Sequence, residues 1–176
     1  MSELLKEGGK RRLDRVLAPG FTGGLGELDE AEVRERRDLS RAEREYLSLL
    51  RRLIHGRLDI LRAERERRAS GGEAVVDRLA SILAEGPRGP GRGEPPTVPV
   101  PEEEMALARR RVERLVSDTR LSDLENLSDD DLAEAVGRLE EEERDVSNVR
   151  KQVITALDRL QEEIKRRWQN RLNAEA

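Results

Sequence analysis

The side chains in this sequence that could do chemistry form one polar set that occurs twice. Each copy has a hydroxyl, a guanidinium and a carboxylate in the same order and at the same spacing. The first copy contains Ser48, Arg51 and Asp59, and the second contains Ser147, Arg150 and Asp158. Hydroxyl and guanidinium groups donate hydrogen bonds, whereas an ionised carboxylate only accepts them. Such a set is suited to binding a polar ligand.

A catalytic or metal centre is not predicted. The chain has a single histidine, His55, and no cysteine, so a Cys-His pair and a thiolate metal site are both excluded. One histidine alone is a weak metal candidate, and the acidic run at 140–143 is typical of an exposed helix face. We therefore expect neither an enzyme nor a metal site.

The two polar sets belong to an internal repeat. A shift of 99 positions superposes residues 46–62 on 145–161 without a gap, which indicates one structural unit used twice. At about 100° per residue, the apolar residues of each copy form one stripe along a helix. The stripe of the first copy comprises Leu47, Leu50, Ile54, Leu58 and Leu61. The polar set, which includes His55, lies roughly a quarter turn away, on the shoulder of a helix-helix seam.

A solvated helix face is the simplest alternative for these polar residues. In a chain that is 41% charged, arginine and aspartate often recur at helical spacing. Serine argues against this alternative, because its hydroxyl competes with the backbone for hydrogen bonds and favours helix caps over helix interiors. Serine at both equivalent positions suggests that the paired helices form a cleft for a polar ligand.

The repeats resemble a motif of the RsiG-type anti-sigma factors that respond to cyclic di-GMP. That motif is Glu, three residues, Ser, two, Arg, three, Gln, three, Asp. The second copy departs from it only at the Gln position, which is Ile154, whereas the first copy has Arg44 for Glu and His55 for Gln. The matching residues are Ser48, Arg51 and Asp59 in the first copy and Glu143, Ser147, Arg150 and Asp158 in the second.

The resemblance implies that two cyclic di-GMP molecules bind per chain, across the paired motif helices. Arginine can bind phosphate oxygens or the O6 and N7 atoms of guanine, which makes Arg51 and Arg150 the candidate cations. Carboxylates accept hydrogen bonds from the guanine N1-H and N2-H groups, and we predict this role for Asp59, Asp158 and Glu143.

The other candidate ligands are hydrogen-bond donors to phosphate. Ser48 and Ser147 would donate through their hydroxyls, and His55 through a ring nitrogen. Ile154 cannot hydrogen-bond, so the two copies are unequal. The resemblance further implies that the liganded protein captures a sporulation or motility type sigma factor resembling WhiG and thereby inhibits transcription.

Two other functions remain open at this point. A coiled-coil adaptor without a small ligand would depend on its apolar seam, and substitution of Ser48 or Ser147 would change little. A nucleic-acid binder using the basic stripes would show DNA affinity that falls steeply with salt. The net charge of −4 makes the nucleic-acid binder the weaker alternative.

Composition predicts an elongated all-α protein. The 176 residues are 35% hydrophobic and 2% aromatic, which is too little apolar bulk for a large globular core. We expect a helical hairpin, an antiparallel coiled coil of two long repeat helices with short flanking helices. No apolar run could span a membrane, and the polar N-terminal residues lack a signal-peptide core, so we expect a cytoplasmic protein.

The chain is expected to divide into five segments. They are an N-terminal arm with a short helix and a possible sigma contact (1–39), the first motif helix (40–70), a short amphipathic helix (71–85), a Pro/Gly linker (86–101) and a helical region with the second motif helix (102–176). Residues 1–26 are expected to be mobile, and a helix could begin at Asp29. Ser40 is expected to cap the first motif helix, and Ser128 the last helix.

Two aromatic residues are candidate anchors for a protein partner. Phe21 follows a Pro-Gly pair in the N-terminal arm, and Trp168 lies beside the basic run 165–167. Each also has a simpler explanation. Phe21 could be an incidental loop residue, and a basic helix end is favoured by the helix dipole.

Overall fold

The computed structural model describes residues 10–71, 99–117, 124 and 126–175. Over these residues the chain forms helices and no strand, so the predicted all-α class is confirmed. The helices are α1 (Lys10–Val16), α2 (Glu30–Ser70), α3 (Glu102–Ser117) and α4 (Asp129–Glu175). The amphipathic helix predicted for 71–85 and the linker predicted for 86–101 lie almost entirely outside the described residues.

The two long helices pair in opposite directions. At one end Arg68 Nη1 donates a hydrogen bond to Asp129 Oδ1 at 2.7 Å, and at the other end Arg171 forms an ion pair with Glu30. The C-terminal end of α2 therefore meets the start of α4, and the start of α2 meets the C-terminal part of α4. At 1.5 Å per residue, the helices are about 60 and 70 Å long. The predicted antiparallel hairpin is confirmed.

The seam between α2 and α4 is the main apolar core. The residues of the predicted stripe on α2 are all at most 2% exposed. Their counterparts on α4 are the buried Val146, Val153, Leu157 and Leu160. Burial of apolar surface contributes about 25 cal/mol per Å², so this seam is the principal source of stability.

Helix α2 begins earlier than the start predicted near Arg41. Asp29 Oδ1 accepts a hydrogen bond from the Glu32 backbone N-H at 2.7 Å, and Glu32 Oε2 accepts one from the Asp29 backbone N-H at 3.1 Å, which completes a capping box. Ser40 is therefore not a cap but lies inside the helix, where its hydroxyl donates to the Arg36 carbonyl at 2.9 Å. No proline or glycine interrupts residues 30–40, so the two predicted helices are one. Gly71, at φ 68°, ends the helix.

Residues 10–28 of the arm that was expected to be mobile pack against the hairpin. Leu13 and Val16 of α1 are buried in the core. Further along, Arg167 of α4 donates hydrogen bonds to the backbone carbonyls of Leu25 and Leu28, at 2.6 and 2.8 Å. The arm has too few apolar residues for a core of its own, but both long helices supply surfaces for it.

The two candidate aromatic anchors differ in their surroundings. Phe21 packs against the core, its carbonyl accepts a hydrogen bond from Arg36, and the Arg36 guanidinium lies 5.6 Å from the ring centre. Trp168 is 56% exposed near the end of α4. Phe21 therefore packs within the chain's own core, and Trp168 remains a candidate contact for a partner.

A polar cluster attaches the short helices to α2. Arg12 of α1 donates to the buried Glu43 of α2 and makes a bidentate contact with Glu104 of α3 at 2.8 Å. Arg111 of α3, also buried, donates a hydrogen bond to the Tyr46 hydroxyl. Both arginines also lie about 6 Å from the Tyr46 ring centre. Ion pairs and apolar burial together hold α1 and α3 on one side of α2.

The start of α4 is the one predicted. The Ser128 hydroxyl accepts a hydrogen bond from the Asp131 backbone N-H at 3.1 Å, as an N-cap does. Three aspartates follow in the first turn, where negative charge is favourable.

In the part of the chain that the structure describes, no helix is both long and apolar enough to cross a membrane.

Candidate ligand-binding site

The antiparallel pairing brings the two copies of the repeat together at their centres. Arg150 of the second copy contacts Ser48 of the first, and Arg51 of the first contacts Glu143 of the second. Because the copies run in opposite directions, an approximate two-fold axis crosses the seam near Leu50 and relates Arg51 to Arg150 and Ser48 to Ser147. The polar side chains beside the axis form what we call the central cluster: Arg44, Ser48, Arg51, His55, Glu143, Ser147 and Arg150.

Glu143 organises one half of the central cluster. Its Oε1 accepts hydrogen bonds from Arg51 Nε at 2.8 Å and from the Ser147 hydroxyl at 2.7 Å. His55 Nε2 lies 3.3 Å from the same oxygen but makes no hydrogen bond, although this nitrogen is buried. Burial raises the pKa of Glu143, but the hydrogen bonds from Arg51 and Ser147 outweigh it and hold the pKa below its usual range. Glu143 is therefore ionised at neutral pH.

Ser48 organises the other half. Its hydroxyl accepts a hydrogen bond from Arg150 Nε at 2.8 Å and donates one to the Arg44 carbonyl at 2.7 Å. The Arg44 side chain pairs with the adjacent Glu45, which is buried. Burial, followed by repulsion from Arg51 and Arg44, lowers the pKa of Arg150. This half is therefore richer in positive charge than the half around Glu143.

The two predicted aspartates lie away from the central cluster. Asp59 and Asp158 each follow the serine of their copy by 11 residues, which is about 16 Å along the helix axis. Because the helices are antiparallel, the two aspartates lie towards opposite ends of the hairpin. Asp158 is exposed and lines an open groove with Thr22 and Arg159. Of the predicted ligand-binding residues, the structure brings together Ser48, Arg51, His55, Glu143, Ser147 and Arg150. It places Asp59 and Asp158 apart from this cluster, one on each side of it along the hairpin.

A model of a known family matches both halves of this chain. The model, described as RsiG-like, covers residues 19–83 and 118–175, which is more than half of the chain and includes both copies of the repeat. The chain belongs to the RsiG-like family. Curated protein sequences gave no match. Membership of this family indicates a regulator of the anti-sigma kind, with a sigma factor as its kind of partner, and supports the prediction that the protein is not an enzyme.

The helix-interior serines of this RsiG-like chain are already hydrogen-bonded. Ser48 joins Arg44 to Arg150, and Ser147 donates to Glu143. Their presence inside helices therefore has a structural explanation in addition to the predicted role in ligand binding. Each hydroxyl can still change partners, because a hydroxyl both donates and accepts.

In the sequence, Arg44 is only a departure from the motif. In the structure its backbone and side chain both belong to the central cluster. The signal was present in the repeat, because Arg44 aligns with Glu143 after the shift of 99 residues and the sign of the charge is reversed.

In residues 10–71, 99–117 and 126–175, no group of acidic residues and histidine is arranged to hold a metal ion.

Proposed function

We propose that this RsiG-like protein is an anti-sigma factor that binds cyclic di-GMP at the central cluster and sequesters a sigma factor resembling WhiG. The observation that carries the proposal is the meeting of both motif copies at one seam, with Arg51 bonded to Glu143 and Arg150 bonded to Ser48. Family membership supports the anti-sigma role. The resemblance of both copies to the motif of proteins that respond to cyclic di-GMP supports the choice of ligand.

The chemistry of the cluster suits both parts of such a ligand. Phosphate oxygens would accept hydrogen bonds from Arg51, Arg150 and the serine hydroxyls, and such charge-assisted bonds are the stronger kind. The guanine N1-H and N2-H groups would donate to Glu143, which is ionised. The side chains of Arg51 and Glu143 are 21% and 18% exposed, so a ligand can reach them from one side of the seam. Ligand binding would exchange internal hydrogen bonds for new ones.

This exchange offers a way for the ligand to affect a partner. The central cluster crosses between α2 and α4, so a ligand that bonds to both helices fixes their relative position. A ligand favours a binding-competent arrangement only to the extent that it binds that arrangement more tightly than others. Under the proposal, the liganded hairpin has the higher affinity for the sigma factor and keeps it from core polymerase.

Calorimetric titration of cyclic di-GMP into the full chain tests the ligand. Saturable binding of about two molecules per chain is expected from the implied site, and cyclic di-AMP should not bind, because adenine lacks the N1-H and N2-H donors. Arg51→Ala should weaken affinity about tenfold or more through the loss of a charge-assisted hydrogen bond. Arg52→Ala is the matched control, because Arg52 is the exposed neighbour of Arg51. Absence of both heat and protection from thermal unfolding would refute cyclic di-GMP binding.

The partner is tested separately, with a purified sigma factor of the WhiG type. Size-exclusion chromatography should show a complex whose stability increases with cyclic di-GMP. Equal sigma affinity with and without the ligand would overturn the switch. A complex that forms equally well with Arg51→Ala would exclude a requirement for Arg51 in capture.

A coiled-coil adaptor without a small ligand is the second candidate. It is favoured by the observation that Ser48, Ser147 and Glu143 already have hydrogen-bond partners within the chain. For an adaptor, Ser147→Ala would change partner affinity little, whereas substitutions in the apolar seam would abolish it. The calorimetric titration separates the two functions, since an adaptor binds no cyclic di-GMP.

A further inference from the structure

The approximate two-fold symmetry of the central cluster is broken at one pair of positions. The shift of 99 residues relates Arg51 to Arg150 and Glu143 to Arg44. Arg51 bonds to the Glu143 carboxylate across the seam, so symmetry would pair Arg150 with a carboxylate at position 44. That position is an arginine, and Arg150 bonds to the neutral Ser48 hydroxyl instead.

The consequence is an unequal distribution of charge along the cleft. The half around Glu143 contains a carboxylate that accepts hydrogen bonds from Arg51 and Ser147. In the other half, Arg150 lies beside Ser48, whose hydroxyl is bonded to the Arg44 backbone. The carboxylate that this half contains is that of Glu45, which is buried and contacts the Arg44 side chain.

Positive charge in this second half is held at a cost that an anion would relieve. Arg150 is partly buried, and the repulsion that it experiences from Arg51 and Arg44 exceeds the attraction from Glu45. The Arg44 side chain remains 25% exposed, so it can turn towards a bound group. A phosphodiester shares one negative charge between two non-bridging oxygens, which can accept hydrogen bonds from guanidinium groups and a serine hydroxyl.

We infer that Arg44 is a phosphate-binding residue of this chain and that it forms, with Arg150 and Ser48, a phosphate half of the cleft that the Glu143 half does not reproduce. The inference rests on the proposed binding of cyclic di-GMP. It gives the cleft a direction, in which the Arg44 end offers cations to a phosphate without a free carboxylate beside them, and the Glu143 end adds a carboxylate for a guanine edge to its own phosphate donors. Arg44 thus adds a cation where the first motif copy loses a carboxylate.

Titration of cyclic di-GMP into the full chain and its variants, at low and high salt, tests the role of Arg44. Arg44→Gln should weaken affinity about tenfold by removing a charge-assisted contact, and should make affinity less sensitive to salt. Arg44→Glu, which restores a carboxylate at both equivalent positions, should weaken binding further. Arg44→Lys should retain most of the affinity. Arg52→Gln is the matched control and should bind as the unmodified protein does.

One additional variant separates binding from folding. Arg44→Gln leaves Glu45 buried without its neighbouring cation, whereas Arg44→Gln combined with Glu45→Gln removes both charges together. The loss of affinity should persist in this double variant, with cooperative thermal unfolding as the check on its fold. Unchanged or tighter binding by Arg44→Gln and Arg44→Glu overturns the role of Arg44 while leaving the proposed function intact. No binding of cyclic di-GMP by the unmodified protein overturns both.

Discussion

Arg12 Nε lies 2.6 Å from Glu43 Oε2, and this contact fixes α1 to the middle of α2. The same guanidinium makes two further hydrogen bonds to Glu104, so three helices meet at one side chain. Burial raises the pKa of Glu43 above its usual range, and the hydrogen bond from Arg12 opposes that rise. A buried carboxylate with a raised pKa costs stability at neutral pH, and Arg12 reduces that cost.

Replacement of Arg12 therefore leaves the buried Glu43 carboxylate without its hydrogen-bonded cation, with only the weaker attraction of Arg111 remaining. We expect Arg12→Met to lower the free energy of unfolding by about 2 kcal/mol, somewhat less than for a fully buried pair because Arg12 is 23% exposed. Urea denaturation at pH 7 measures the change. Arg12→Met combined with Glu43→Gln should recover part of the loss. If the double variant is the less stable of the two, unpaired charge is not the cause.

The bond between Arg51 and Glu143 is expected to stabilise the unliganded hairpin modestly. Glu143→Gln should lower the free energy of unfolding by about 1 kcal/mol, because it weakens the bond from Arg51 across a partly buried seam and the bond from Ser147 on the same helix. The matched control is Glu140→Gln, which alters the exposed ion pair of Glu140 with Arg62 and should change little. Chemical denaturation of both variants at one pH checks the difference. Equal effects would show that burial of the Glu143 pair does not matter.

Acid should destabilise the fold partly through Glu64. Hydrogen bonds from Arg67 and Arg68 lower the pKa of Glu64 from its usual value of 4.5 to about 2. Because the folded-state pKa is the lower one, the contribution of Glu64 is complete above pH 4.5 and is lost as the pH falls towards 2. Glu64→Gln and Arg67→Gln should both reduce the loss of stability over this range. Denaturation curves collected across the range measure it, with Arg65→Gln, at an exposed position, as the control.

The apolar seam should dominate stability. Leu50 is fully buried near the two-fold axis, so Leu50→Ala should cost about 3 kcal/mol through lost burial and the cavity that remains. Leu172→Ala makes the same chemical change at a position that is 45% exposed and should cost little. Thermal and urea unfolding compare the two variants. A similar cost at both positions would mean that α2 and α4 do not form the packed core.

Much of the fold follows from local pattern. The stripe from Leu47 to Leu61 predicts a helix with an apolar partner, and the repeat supplies that partner, so a helical hairpin follows. The sequence favours antiparallel pairing without fixing it, and the contacts of Arg68 with Asp129 and of Arg171 with Glu30 establish the direction. The Ser128 cap was also predictable, because a capping residue and its backbone donor are three positions apart. These features depend on neighbours in sequence or on helical periodicity.

Features that depend on distant residues were not predictable in the same way. The arm at 10–28 is too short to form a core of its own, and its packing depends on Arg36 and Arg167, which belong to the long helices. Serine is a residue type that favours helix caps, but Ser40 lies inside a helix that begins ten residues earlier, at Glu30. For the candidate site, spacing identified the side chains that meet at the seam. The role that we infer for Arg44 depends on the pairing direction, which brings Arg150 to Ser48 and so into the neighbourhood of Arg44.

The central position of the cluster means that a small rotation of one long helix against the other at this point displaces both ends of the hairpin. The cluster lies near the middle of α2, with about 30 Å of helix on either side, so a change of about 5° in the crossing angle moves each end of that helix by about 3 Å. Both ends are held by ion pairs, Arg68 with Asp129 and Arg171 with Glu30. A rearrangement of a few hydrogen bonds at the centre is therefore amplified at the ends, where it must be absorbed by bending of the helices or by exchange of those ion pairs.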